Sequence, residues 1–212
     1  MDAALAAGTD LVGLVFFPPS PRAVTPAAAV PLAALARGRA RITALVVDAT
    51  DVLLADIVAH AKPDLLQLHG SESAERVAEI ARRFGRPVMK AIAVAEAVDL
   101  AALPAYEAVA DRILFDARPP KDANRPGGHG RAFDWQLIAG VARKKPVMLS
   151  GGLTPENVAD AIAVARPDAV DVSSGVERAP GDKDAARIAS FVKNARKAAA
   201  NAPTTTKREK VS

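Results

Sequence analysis

The chain has 212 residues, half of them apolar and a quarter charged, with 13 Gly and 16 Pro, a composition that fits one globular domain and excludes a collagen-like, coiled-coil or wholly disordered chain. It contains no cysteine, so disulfides, thiolate zinc sites and cysteine nucleophiles are excluded. Its net charge of +4 owes +2 to the last twelve residues, and six Phe, one Tyr and one Trp offer few surfaces for stacking bases, which argues against a nucleic-acid partner.

The chain opens as helix over Asp2–Ala7. Short runs rich in Val, Ile and Leu then recur at Leu11–Phe17, Ile42–Asp48, Asp64–His69, Pro87–Ile92, Asp111–Asp116, Pro146–Ser150 and Asp168–Ser173. Most are nearly all apolar rather than alternating, as expected of parallel strands buried on both faces. The segments between them carry the helical period: Leu54, Ile57, Val58 and Ala61; Val77, Ile80, Ala81 and Phe84; Ile188, Phe191, Val192 and Ala195. Thr25-Pro26 and Thr154-Pro155 read as helix starts, with Thr capping free amides and Pro where a missing N–H costs nothing. The tail after residue 200 reads as a disordered polar end behind a single domain spanning residues 1–200. Seven strands and about eight helical segments make either a doubly wound open sheet or a closed (β/α)8 barrel. No apolar run reaches the roughly 18 residues that span a bilayer, so no membrane partner is expected.

Polar residues gather where the strands end. Ser150-Gly151-Gly152-Leu153-Thr154 closes one strand, and Ser173-Ser174-Gly175 closes the next. Small residues at two consecutive strand ends let a phosphate approach the backbone, whereas either glycine group alone would read as a tight turn. Asp116 ends the apolar run Arg112–Phe115, a place suited to general acid work or to a helix cap or ion pair, with Arg118 as the nearest partner. Asp48 and Asp171 are two further carboxylates near strand ends. Arg22 follows three prolines in Pro18-Pro19-Ser20-Pro21, so its fork is either a carboxylate clamp or a solvated loop arginine. His69 ends a third strand, and with His60 and His129 it has no metal-ligand spacing, so no metal is expected. The Pro- and Gly-rich stretch Ala117–Gly130 has the length and composition of a lid. Nucleotide fingerprints GxGxxG and GxxxxGK[ST] are absent.

Taken in order, Gly13-Leu14-Val15-Phe16 with Ser20-Pro21-Arg22, Gln67-Leu68-His69-Gly70, Leu114-Phe115-Asp116, Gly127-Gly128-His129-Gly130, Ser150-Gly151-Gly152-Leu153 and Asp171-Val172-Ser173-Ser174-Gly175-Val176-Glu177 resemble the phosphoribosylanthranilate isomerase family. The resemblance implies a (β/α)8 TIM barrel lacking its first β-strand, because the chain starts within helix 1. It also implies a cytoplasmic enzyme of tryptophan biosynthesis, a monomer or homodimer, acting on a phosphorylated small molecule. Its reaction would be the Amadori rearrangement of N-(5′-phosphoribosyl)anthranilate to 1-(2-carboxyphenylamino)-1-deoxyribulose 5-phosphate, which needs no cofactor. By the resemblance, Asp116 matches the general acid that protonates the furanose ring oxygen. Arg22 matches the arginine holding the anthranilate carboxylate. Gly151, Gly152, Ser173, Ser174 and Gly175 match the phosphate loops, and His69 joins the substrate-binding set.

The departure lies at the front. The family's first strand, reading approximately Lys-Ile-Cys-Gly-Ile, carries a cysteine general base, and this sequence has neither. The expectation is a natural protein about fifteen to twenty residues longer, one strand and its lead-in, and very low or no isomerase activity from these 212 residues alone. Two alternatives accompany it: a catalytically dead barrel that binds a phosphorylated metabolite, and a barrel resembling indole-3-glycerol-phosphate synthase, whose catalytic lysine has only Lys90 as a candidate.

Overall fold

The structure, a computed structural model, describes residues 1–118 and 132–201. Each of the seven apolar runs forms a parallel strand: β1 (Leu11–Val15), β2 (Arg41–Val46), β3 (Leu65–Leu68), β4 (Val88–Val94), β5 (Arg112–Ala117), β6 (Val147–Leu149) and β7 (Ala169–Val170). They lie in one sheet in strict chain order. A doubly wound sheet reverses its strand order at a switch point, and this one does not. The sheet curls instead, for Leu65, Met89, Ala91, Leu114 and Met148 form one interior cluster that also takes Leu11 of β1 and Ala169 of β7. β1 and β7 are the two ends of the sheet.

Helices α1 (Asp2–Ala6), α2 (Pro26–Ala36), α3 (Asp51–His60), α4 (Ala74–Phe84), α5 (Leu103–Glu107), α6 (Gln136–Ala139), α7 (Val158–Ala165) and α8 (Ala185–Asn201) cover the outer face. The apolar stripes read from the sequence supply the contact: Leu54, Ile57, Val77, Ile80, Ile188 and Phe191 are all buried. Helix α8 packs on both α7 and α1. Its Arg196 guanidinium reaches the Gly8 carbonyl at 2.6 Å and the Asp10 carboxylate at 3.2 Å, tying the last helix to the approach of β1.

Local signals account for the helix starts. Thr25, Thr50 and Ser73 cap α2, α3 and α4, each side-chain oxygen accepting the amide three residues on at 3.2–3.3 Å. Thr154-Pro155 behaves differently from the expectation. Regular helix begins only at Val158, because the Thr154 amide is taken by the Asn157 side chain at 2.8 Å while Asn157 Nδ2 donates to the Gly152 carbonyl at 3.0 Å. That turn braces the loop after β6 before α7 starts.

A second difference follows β7. Glu177–Ala179 (β8) and Asp182–Lys183 (β9) form a small antiparallel hairpin with no counterpart in the sequence reading. The expected lid over Ala117–Gly130 lies outside the described residues from Pro119 onward, as does the tail beyond Asn201, which is itself the last residue of α8. Among the described residues, no helix is long and apolar enough to cross a membrane.

Candidate active site

Side chains on a strand alternate between its two faces, so the interior cluster dictates which later residues point inward. Two and four positions beyond Leu65 stand Gln67 and His69; two beyond Leu114 stands Asp116; two beyond Met148 stands Ser150; two beyond Ala169 stands Asp171. Because all seven strands are parallel, these polar residues meet at one end of the curled sheet. Lys90, between the interior residues Met89 and Ala91, is out of phase and faces the helices. It lies within β4 rather than at its end, is 2 % exposed, and is committed to Glu72 at 2.8 Å and to the Gly70 carbonyl at 2.6 Å. The lysine required by the synthase-like alternative is therefore not in the interior.

His69 and Asp116 form the centre of the site. His69 Nε2 lies 3.0 Å from Asp116 Oδ2, and Gln67 Nε2 lies 2.9 Å from His69 Nδ1. The Gln67 amide nitrogen can only donate, so Nδ1 accepts and the Nε2–H donates to the carboxylate. The other Asp116 oxygen, Oδ1, accepts from the Ala117 amide at 2.9 Å. With 5 % exposure, Asp116 is a buried carboxyl that holds two donors. Arg118 does not pair with it; its guanidinium binds Asp99 instead.

Gly151 adjoins this pair. Its φ is +86°, and a Cβ there would meet the Ala117 backbone and lie 2.8 Å from Asp116 Oδ1. Glycine is thus required both by conformation and by the close approach of the loop to the carboxyl. Gly175 is pinned for a different reason, since a Cβ there would strike the Leu153 carbonyl, which brings the loops after β6 and β7 into direct contact. The amides of Gly151, Gly152, Ser174 and Gly175 donate to no acceptor among the described residues. Ser173 precedes the 3₁₀ turn Ser174–Val176 and is bonded by Lys183 Nζ, at 2.9 Å to its carbonyl and 3.3 Å to its hydroxyl.

Arg22 is not a solvated loop residue. Its side chain is 11 % exposed, and it makes a two-pronged pair with Glu177, Nε to Oε1 at 2.7 Å and Nη2 to Oε2 at 2.5 Å. Glu177 also receives Lys183 at 2.8 Å. Burial alone would raise the Glu177 carboxyl, but hydrogen bonds from Arg22 and Lys183 outweigh it and hold it down to about 2. At Asp171 burial wins: it pushes the carboxyl above its ordinary range, aided by the Asp116 charge and opposed by the Ser150 hydroxyl, which donates at 3.0 Å.

Every expected site residue thus lies at one end of the sheet, in two linked groups. Asp116, His69 and Gly151 form the first. Arg22 joins Ser173, Ser174 and Gly175 through Glu177 and Lys183, and Gly152 sits between the groups on the Asn157 brace. Gln67, Glu177 and Lys183 stand beside these residues and were assigned no role from the sequence; for Gln67 the signal was available in its position two residues before His69. Asp48 is committed elsewhere, its carboxylate accepting the Ser71 amide at 2.8 Å.

Residues 1–194 match the family model described as N-(5′-phosphoribosyl)anthranilate (PRA) isomerase. The chain is 61 % identical over 195 residues to the N-(5′-phosphoribosyl)anthranilate isomerase of Rhodopseudomonas palustris strain BisA53, an alignment covering 92 % of this chain and 89 % of the relative. It is 58 % identical to that of Nitrobacter winogradskyi, with 93 % and 88 % covered. Among solved structures it resembles phosphoribosyl anthranilate isomerase from Thermotoga maritima, with a TM-score of 0.83, 37 % identity and 92 % of each chain covered. It also resembles a phosphoribosyl anthranilate isomerase in complex with reduced 1-(o-carboxyphenylamino)-1-deoxyribulose 5-phosphate, with a TM-score of 0.78, 35 % identity, and 92 % and 91 % covered.

Proposed function

The chain belongs to the N-(5′-phosphoribosyl)anthranilate isomerase family, and from that premise we propose how its residues divide the Amadori rearrangement of N-(5′-phosphoribosyl)anthranilate to 1-(2-carboxyphenylamino)-1-deoxyribulose 5-phosphate. The substrate is anionic at both ends, with a furanose between them. The amides of Gly151, Gly152, Ser174 and Gly175 take the phosphate, as N–H groups that meet no acceptor among the described residues. Arg22 takes the anthranilate carboxylate. The sugar then lies over the His69–Asp116 pair.

Asp116 in its acid form gives its proton to the ring oxygen as the C1′–O bond breaks, while the nitrogen lone pair forms the C1′=N bond. The carboxylate left behind is received by His69 Nε2–H and the Ala117 amide, both already in place and so needing no reorganisation. Transfer of the C2′ proton to a general base then gives the enolamine, which tautomerises to the ketone. The cysteine that the resemblance implies as this base has no counterpart in the 212 residues, so the division proposed covers binding and ring opening.

The observation that carries this reading is the buried His69–Asp116 pair at the end of the interior columns. Steady-state isomerisation tests it, with Asp116→Asn made in the chain joined at its front to the family's first strand and cysteine so that the C2′ step does not limit turnover. The expected result is a fall in kcat of about 10²–10⁴, the usual contribution of a positioned general acid, with affinity for the reduced product nearly retained. A variant whose kcat stays within a few-fold of the parent contradicts the assignment.

A further inference from the structure

Arg22 has two edges with which a guanidinium grips a carboxylate: the side edge, Nε with Nη2, and the end edge, Nη1 with the second Nη2 hydrogen. Glu177 occupies the side edge with both of its oxygens. At 4 % side-chain exposure it is the more buried partner, and Lys183 anchors it from the other side at 2.8 Å. Through Lys183 the same carboxylate is joined to Ser173 in the loop after β7. Glu177 therefore fixes the plane of the Arg22 guanidinium relative to the amides read as the phosphate cradle, and it leaves the end edge as the remaining two-pronged donor.

We propose that Glu177 is a positioning residue for recognition of the substrate's aromatic carboxylate: by holding the side edge of Arg22 it presents the end edge, at a fixed distance from the phosphate loops, to the benzoate group. This rests on the reading of Arg22 as the carboxylate clamp. The opposite role is also physically available, since an internal carboxylate on an arginine can compete with the ligand's carboxylate for the same cation. Geometry favours positioning. A competitor must leave before the ligand binds, and Glu177 is buried, gripped by two cations and continuous with the β8–β9 hairpin. A fixed guanidinium also gives up less side-chain freedom when the ligand arrives.

The test is a calorimetric titration of the 212-residue chain with two ligands: reduced 1-(o-carboxyphenylamino)-1-deoxyribulose 5-phosphate and its analogue lacking the ring carboxyl. The ratio of the two Kd values reads carboxylate recognition alone, and it is insensitive to any unfolded fraction because both ligands see the same protein. We expect the Glu177→Gln ratio to fall about tenfold from the parent value, the equivalent of one charge-assisted hydrogen bond. Arg22→Lys, which keeps the charge but not the second edge, should lose the ratio to a similar or greater extent. If Arg22→Lys and Arg22→Met both keep the parent ratio, the clamp reading of Arg22 fails and the proposal with it. If the Arg22 variants lose the ratio while Glu177→Gln keeps or increases it, the clamp stands and the positioning role of Glu177 is overturned.

Discussion

Asp171 stands two residues beyond Ala169 on the inner face of β7, its carboxyl bonded by the Ser150 hydroxyl. Burial is the main reason its folded-state pKa lies above the unfolded value. For a carboxylic acid this sign means that the charged form is the disfavoured one in the folded protein. Stability is unaffected below the unfolded value of about 3.9, declines as pH rises from there through the raised folded value, and stays reduced by the full shift above it. Asp171→Asn keeps an acceptor for Ser150 and removes the charge. We therefore expect its urea midpoint to match the parent near pH 3 and to exceed it at pH 7–8. A constant difference across that range would mean that the Asp171 charge carries no such burden. The same charge faces Asp116 and His69, so its retention at a stability cost fits a role in the site rather than in the fold.

At the scale of elements, the loop after β3 shows how a buried ion pair shapes a site from behind. Glu72 accepts the amides of Asp48 at 2.9 Å and Gly70 at 3.0 Å and pairs with Lys90, while the Tyr106 hydroxyl donates to the Glu72 carbonyl at 3.0 Å. His69 lies at the start of that loop, so the pair on the helix side of the sheet fixes the residue that meets Asp116 on the inside. Removing one partner strands the other: Lys90→Met should cost about 3–5 kcal/mol, and the double variant Lys90→Met/Glu72→Gln less than the single one. Chemical denaturation of the two variants checks this; a double variant less stable than Lys90→Met would show that the charge pair is not the organising interaction.

These elements also mark what the sequence made legible. All seven strands were visible because parallel strands buried on both faces leave continuous apolar runs, as in Arg112-Ile113-Leu114-Phe115. Asp116, Gly151 and the residues around Ser173 stood out because they end such runs. The hairpin was not visible, since Glu177-Arg178-Ala179-Pro180-Gly181-Asp182-Lys183 has no apolar alternation and only its Pro-Gly turn to mark it. Nor was the partner of Arg22, which lies 155 residues away in the chain. Lys90 misled for the complementary reason: strand membership was legible, but which face it takes depends on Met89 and Ala91 filling the interior.

Across the whole molecule, the curled sheet ends in β1 and β7, and side chains join the two ends at both levels of the wall. Arg22 and Glu177 link the loops beyond the C-terminal ends of these strands, while Arg196 links α8 to Gly8 and Asp10 at the entrance to β1. In the proposed division of the site, the active end has three fixtures: a phosphate cradle, a carboxylate clamp and an acid. In the proposed mechanism Asp116 is the acid that opens the furanose. That step exchanges the two anomers of N-(5′-phosphoribosyl)anthranilate through the open imine and needs no loss of the C2′ proton, so it can be read separately from the overall isomerisation. The most direct measurement is the rate of anomer exchange by magnetisation-transfer NMR, with the 212-residue chain and with Asp116→Asn. Exchange should be accelerated by the parent chain, with about 10²–10⁴ of that acceleration lost in the variant. Equal exchange rates for the two proteins would contradict it.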